Sequence, residues 1–263
     1  MRLYVELAKK SFQRQVAYRS ATLAGFATNL FFGALRAAVM IAVFGARQTV
    51  AGYSLHDAIT YTGITQALIG VTALWGWFEM VRSIKSGEVA ADLSKPFDYY
   101  GFWLAQDIGR GLYQFLTRGV TMLIAYALLF GISFPATLEQ WLLTLLSTCL
   151  VLLVSFGWRF VVSTSAFWVT DALGLARMAF FMSLFPSGFL VPIAFMPGWL
   201  QTICYATPFP SLIETPVAIY LGQAQGAAAL GLIAVQAVWA IVLMGLGRLL
   251  AEAGRRKLTI QGG

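Results

Sequence analysis

Few residues in this chain could do chemistry, and most of them stand alone. The one histidine, His56, lies beside Asp57 at the edge of an apolar block. A lone imidazole there reads as an interfacial polar residue rather than a base or a ligand. Cys149 lies inside an apolar run and Cys204 in a loop-like stretch, so both read as small hydrophobes rather than a disulfide or metal pair. There is no G-x-x-x-x-G-K-[ST] phosphate loop and no H-E-x-x-H, so the chain lacks the usual means of cradling ATP or a catalytic metal. An intramembrane serine protease would need a base that the sequence does not supply. Asp57, Glu139 and Glu214 fall outside the apolar blocks, whereas a proton-coupled carrier commonly carries carboxylates inside its spans. The remaining candidates are three arginines within or near apolar runs, Arg36, Arg118 and Arg159. A central arginine costs about 2.5–3.5 kcal/mol to insert, so each should face protein, water or an anionic group of substrate or lipid. The plainer readings are a structural pair for Arg36 and snorkelling for Arg118 and Arg159.

The elements that must hold these residues are set by composition. Of 263 residues, 59% are hydrophobic and 11% charged, against roughly 25% charged in soluble domains. A helix needs about 20 apolar residues to cross a bilayer. Six blocks approach that length, at about 22–44, 58–78, 111–130, 141–161, 178–195 and 226–246. The expected fold is therefore an all-α integral membrane protein with six transmembrane helices, forming a single domain over residues 1–263. The basic residues orient it. Arg2, Lys9, Lys10, Arg14 and Arg19 precede the first block; Arg82, Lys85, Lys95 and Arg110 lie between the second and third. Arg177 precedes the fifth, and Arg248, Arg255, Arg256 and Lys257 follow the sixth, while the opposite loops hold only Arg47. Cytoplasmic loops are enriched in Lys and Arg, which places both termini in the cytoplasm. The formal charge of +7 is thus a topology signal and not a sign of nucleic acid.

Three segments are not simple spans. Residues 1–20 read as an amphipathic helix on the inner membrane face, with Leu3 and Leu7, Tyr4 and Ala8, and Phe12 and Val16 at helical spacing. They are followed by an apolar block too long for a signal peptide. Residues 81–102, with mixed charge, Gly87 and Pro96, read as a short helical cytoplasmic loop where a soluble partner would push. Residues 186–222 hold six prolines and no Lys or Arg. Broken apolar helices survive at membrane depth only where protein or a cavity covers the backbone, so short re-entrant outer helices are expected over 198–221, before the last span.

This order of segments resembles the type-2 permeases of ATP-binding cassette (ABC) exporters, and within them the branch of antibiotic and viologen efflux permeases. The motifs that carry the resemblance are I-K-S-G-E-V-A-A-D-L-S-K-P at 84–96, the proline-punctuated stretch 192–222 and R-R-K-L-T-I-Q-G-G at 255–263. The resemblance implies a non-catalytic subunit of a prokaryotic plasma membrane. Two such permeases, this chain with itself or with a related chain, would form the pathway above two cytoplasmic ABC ATPases that bind the ATP and Mg. It implies that the loop with Ser86, Gly87, Glu88, Asp92 and Lys95 is the ATPase-coupling helix. It also implies that the outer helices around Pro192, Pro197, Pro208 and Pro216 close the outer gate. The cargo would be a small amphiphilic or hydrophobic compound, a drug, toxin or lipid-like molecule. Two rivals remain open at this point: a secondary carrier or channel working without an ATPase, and a non-transporting membrane scaffold.

Overall fold

The structure, a computed structural model, describes residues 2–73 and 77–257. Its elements run α1 (Arg2–Val16), α2 (Arg19–Phe44), a hairpin of β1 (Thr49–Val50) and β2 (Tyr53–Ser54), α3 (Leu55–Thr72), α4 (Glu79–Ser86) and α5 (Val89–Leu93). They continue with α6 (Tyr99–Gln114), a π-helical turn (Phe115–Gly119), α7 (Val120–Phe130), α8 (Leu138–Thr164), α9 (Ala172–Leu184), α10 (Gly198–Tyr205), α11 (Glu214–Tyr220) and α12 (Gly226–Arg255).

Among the described residues, four helical stretches are long and apolar enough to cross a membrane: 20–44, 99–130, 138–167 and 226–255. Their outward faces are apolar, with Phe31, Leu128, Leu142 and Ile241 exposed. Such a surface suits lipid and not water. These stretches correspond to the first, third, fourth and sixth blocks. The third starts about a dozen residues earlier than the sequence suggested, because Asp98 caps α6 by accepting from Gly101 N at 2.8 Å.

The other two blocks behave differently. Within α3, every residue from Ala58 to Leu68 is buried. It is the central helix, packed by α2, α6, α7, α8 and α11. A helix surrounded by protein can carry threonines, and Thr60, Thr62 and Thr65 return their hydroxyls to the carbonyls of His56, Ala58 and Tyr61 at 2.8–2.9 Å, which satisfies them without water. Residues 74–76, in the expected second span, lie outside the described residues. The fifth block is corrected. Helix α9 covers 172–184, not 178–195, because the chain turns through Pro186 and Gly188, the latter at φ +81°, a conformation that suits glycine.

The all-α expectation holds, with one small addition that the sequence reading did not include. Residues 49–54 form a two-stranded antiparallel hairpin whose turn residues, Ala51 and Gly52, have φ of 48° and 84°, the two positive values of a type I′ turn. Ser54 then starts α3 with a capping box. Its hydroxyl accepts from Asp57 N, while its own N–H donates to Asp57 Oδ2, both at 3.1 Å, so two otherwise orphaned amides are satisfied.

Two aromatic-rich cores stiffen the two ends. At the hairpin end, Phe44, Tyr53, Tyr61, Leu212, Val217 and Tyr220 pack together. At the other end, Trp77, Met80, Ile84, Val89, Tyr100 and Phe160 do so.

Candidate coupling surface and buried charges

Between α3 and α6 lie two short helices, α4 and α5, separated by Gly87 and Glu88. Helix α4 ends at Gly87, which takes φ +81° with open space where a side chain would be, a left-handed cap favourable to glycine. Helix α5 follows at once. Val81, Ile84 and Val89 are buried, while Lys85, Ser86, Gly87, Glu88, Ala90, Ala91, Ser94 and Lys95 are exposed. The pair is therefore nailed into the bundle by its apolar side and turns a polar face outward. Asp92 and Lys95 are not two independent charges, because they form an ion pair at 2.9 Å and the Lys95 ammonium lies 5.7 and 5.6 Å from the rings of Phe97 and Phe102. Arg14 of α1 pairs with Glu79 at 3.2 Å, and Arg248 of α12 with Asp98 at 3.1 Å. Both termini thus converge on this element. Helix α1 itself lies along α6, with Ser11 donating to Gln106 O at 2.6 Å and Phe12 edge-on to Tyr113. The terminal motif expected at 255–263 falls mostly on 258–263, outside the described residues.

The three arginines separate into different environments. Arg159 does not snorkel. Its guanidinium is fully buried and makes a two-pronged pair with Asp107, Nη2 to Oδ2 at 2.7 Å and Nη1 to Oδ1 at 3.1 Å. Trp77 covers its face with the ring centroid at 4.9 Å. Arg110, expected in a loop, is helical and completes the cluster. Its Nε donates to Asp107 Oδ1 at 2.7 Å, and its two terminal nitrogens donate to the Gly70 and Val71 carbonyls at 2.6 and 3.0 Å. Those carbonyls close the C-terminal end of α3, where a cation is favoured. Asp107 escaped the sequence reading because it falls between the loop read over 81–102 and the block read from 111; its spacing of three from Arg110 on an apolar helix is the signal that could have found it. Among the described residues Arg36 has no carboxylate partner. It donates to the backbone carbonyls of Phe189 and of Leu190, the latter at 3.1 Å, and lies 4.6 Å over the Phe189 ring. Arg118 sits in the π-helical turn and donates to Ala21 O at 3.0 Å.

The proline-rich stretch starts short helices more than it breaks a long one. Pro197 immediately precedes α10, Pro192 and Pro208 precede 3₁₀ turns, and Pro216 lies in the first turn of α11, where a missing N–H costs nothing. Glu214 anchors this layer to the rest. Its carboxylate accepts from Tyr61 at 2.7 Å, from Ile193 N at 3.2 Å and from Tyr53 at 3.4 Å. Burial, then the Glu214 carboxylate, pushes the Tyr53 phenol well above its ordinary range. The sequence put Glu214 outside the apolar blocks but gave no sign of this network. Among the described residues no group of three or more His, Cys, Asp or Glu could hold a metal.

No curated protein matches the chain. Residues 31–262 match the model of the ABC-2 family transporter proteins, a region that takes in both cores, the α4–α5 element and the charge cluster. On that match, together with four apolar helices of membrane-crossing length, the chain belongs to the ABC-2 transporter family and is a membrane transport subunit of an ABC transporter.

Proposed function

We propose that this chain is one permease of an ATP-driven exporter in a prokaryotic plasma membrane, coupled through α4 and α5 to an ATPase carried on a separate polypeptide. The observation that carries the reading is the anchoring of those two helices. Met80, Ile84 and Val89 are set into the same apolar core as Tyr100 and Trp103 of α6 and Phe156 and Phe160 of α8, so a push on the exposed face is delivered directly to two long helices. A loop without that root would absorb the push. In this reading α3 and α9 complete six crossings, with α3 sheathed by protein, and both termini are cytoplasmic. Helices α10 and α11 form a re-entrant outer layer that gates the path. Two permeases, with a related chain as partner more than a second copy, stand on two ATPases that bind ATP and Mg. The cargo is a small amphiphilic or hydrophobic compound leaving the cytoplasm or inner leaflet.

The test is purification of the chain in mild detergent after expression with its neighbouring genes. A co-purifying ATPase, with hydrolysis that drives transport, supports the reading. Reversing the charge of Glu88 and replacing Asp92 and Lys95 together is expected to leave ATP hydrolysis but abolish its link to transport. Transport that proceeds without any ATPase would favour a secondary carrier instead.

A further inference from the structure

A groove of about 710 Å³ opens between α2, α3 and α6, walled by Asn29, Phe32, Arg36, Gln114, Arg118 and Leu190. Its polar atoms are incompletely used. Asn29 Nδ2, Arg36 Nη1, Arg118 Nε and Gln114 Oε1 are buried and have no hydrogen-bond partner among the described residues. Three of these four are donors, and a buried donor without a partner costs about 1–3 kcal/mol. The charge balance points the same way. Glu79, a carboxylate on the groove, is already held by Arg14, and Arg110 is matched by Asp107, which Arg159 also claims. Among the described residues the charges of Arg36 and Arg118 therefore meet no carboxylate: Arg36 has the Phe189 and Leu190 carbonyls and the face of the Phe189 ring, and Arg118 has the Ala21 carbonyl. The groove is also built to admit them. A side chain at Gly25 would fall 2.1 Å from the Arg118 guanidinium, and one at Gly33 would fall 2.4 Å from the Tyr126 hydroxyl. Arg118 stands in a π-helical turn, a distortion frequently found at functional sites. Beside the donors, Phe32 and Leu190 are exposed, so an apolar surface continues the charged one.

We infer that this groove binds an amphiphile with an anionic head, a phosphate or carboxylate, seated between Arg36 and Arg118 with its tail along Phe32 and Leu190. Arginine suits that head because its planar fork donates two parallel hydrogen bonds to such oxygens. The inference deepens the export reading by giving its cargo a charge, and it is tested by binding alone, without ATPase or transport. Failure to bind thus leaves the coupling reading standing, and failed coupling leaves the binding result standing.

The experiment is native mass spectrometry of the full chain in mild detergent, with dioleoyl phosphatidic acid and dioleoyl phosphatidylcholine offered at equal concentration. Phosphatidic acid should be retained preferentially, and Arg36→Gln and Arg118→Gln should each weaken it about tenfold, the value of one charge-assisted hydrogen bond. Excess glycerol 3-phosphate should not displace it, since displacement would mean a soluble-anion site and overturn the amphiphile. Equal retention of the two lipids would overturn the inference outright. Because the variants could misfold, a photoactivatable phosphatidic acid is also applied to the unmodified chain. Cross-links on residues 25–36 and 189–190 support the site, and cross-links confined elsewhere refute it. A photo-cross-linker at position 32 that captures a second permease would make the groove a subunit seam and likewise end the proposal.

Discussion

Replacing Asp107 by asparagine keeps the shape of the side chain and removes its charge. The Asp107 and Arg159 side chains are both 0% exposed, so the variant strands a guanidinium in a place water does not reach. Breaking a buried pair from one side costs about 3–5 kcal/mol. Arg110 softens the loss little, because its bonds to the Gly70 and Val71 carbonyls persist without Asp107. At roughly 2–4 °C per kcal/mol for a chain of this size, the melting temperature should fall by roughly 6–20 °C. Tryptophan fluorescence in mild detergent follows it, with Trp77 stacked on Arg159 as a reporter inside the cluster. The same reasoning requires a rescue. Asp107→Leu combined with Arg159→Met replaces the pair by apolar volume, which is often neutral or stabilising, and should regain most of the loss. An Asp107→Asn chain melting within about 2 °C of the parent, or a double variant no better than the single, would refute the assignment of this pair as a structural lock.

Two further outcomes follow from contacts described above. Gly109→Leu should lift α1 off α6, because even a Cβ there would lie 2.0 Å from the Ala8 carbonyl oxygen; faster tryptic cleavage at Lys9 and Lys10 measures it, and unchanged protection would mean that α1 is held by other contacts. Tyr61→Phe should cost about 1–3 kcal/mol, because its one hydroxyl proton lies between the Glu214 carboxylate and the Gly188 carbonyl, each 2.7 Å away. Tyr53→Phe, at 3.4 Å, should cost less, and the reverse order in thermal melts would contradict the geometry.

How much of this was legible in the sequence depended on the kind of signal. Helices α2, α8 and α12 announce themselves because their faces meet lipid, and lipid demands unbroken apolar runs. Helix α3 was found, but its being surrounded by protein, which lets it keep four threonines, was not legible from hydropathy. The amphipathic α1 and the α4–α5 element could be read from periodicity and from Gly87. What composition could not yield was pairing across distant segments. Asp107 and Arg159 are 52 residues apart, and each alone looks like a topological marker. The network of Glu214 with Tyr53 and Tyr61 is hidden for the same reason. The hairpin, by contrast, left a local trace that was passed over: Ala51–Gly52 between Val50 and Tyr53 is a tight-turn pattern of the Asn–Gly kind.

The wide turn at Phe115–Gly119 also fixes an angular relation. Asp107 and Tyr126 are both fully buried or nearly so, and their positions differ by nineteen residues. In an unbroken α-helix, at about 100° per residue, nineteen steps would leave them about 100° out of phase. The extra residue that a π-helical turn absorbs reduces the effective count to eighteen, about five whole turns, and brings both onto one azimuth. Trp103 and Met122, also nineteen apart and both buried, are realigned by the same step. The turn works as a phase correction between two helical halves, so the phase itself depends on the chain length between 115 and 119 and not on which side chains stand there. Loss of a single residue would straighten the rod and swing Met122 and Tyr126 round toward the lipid.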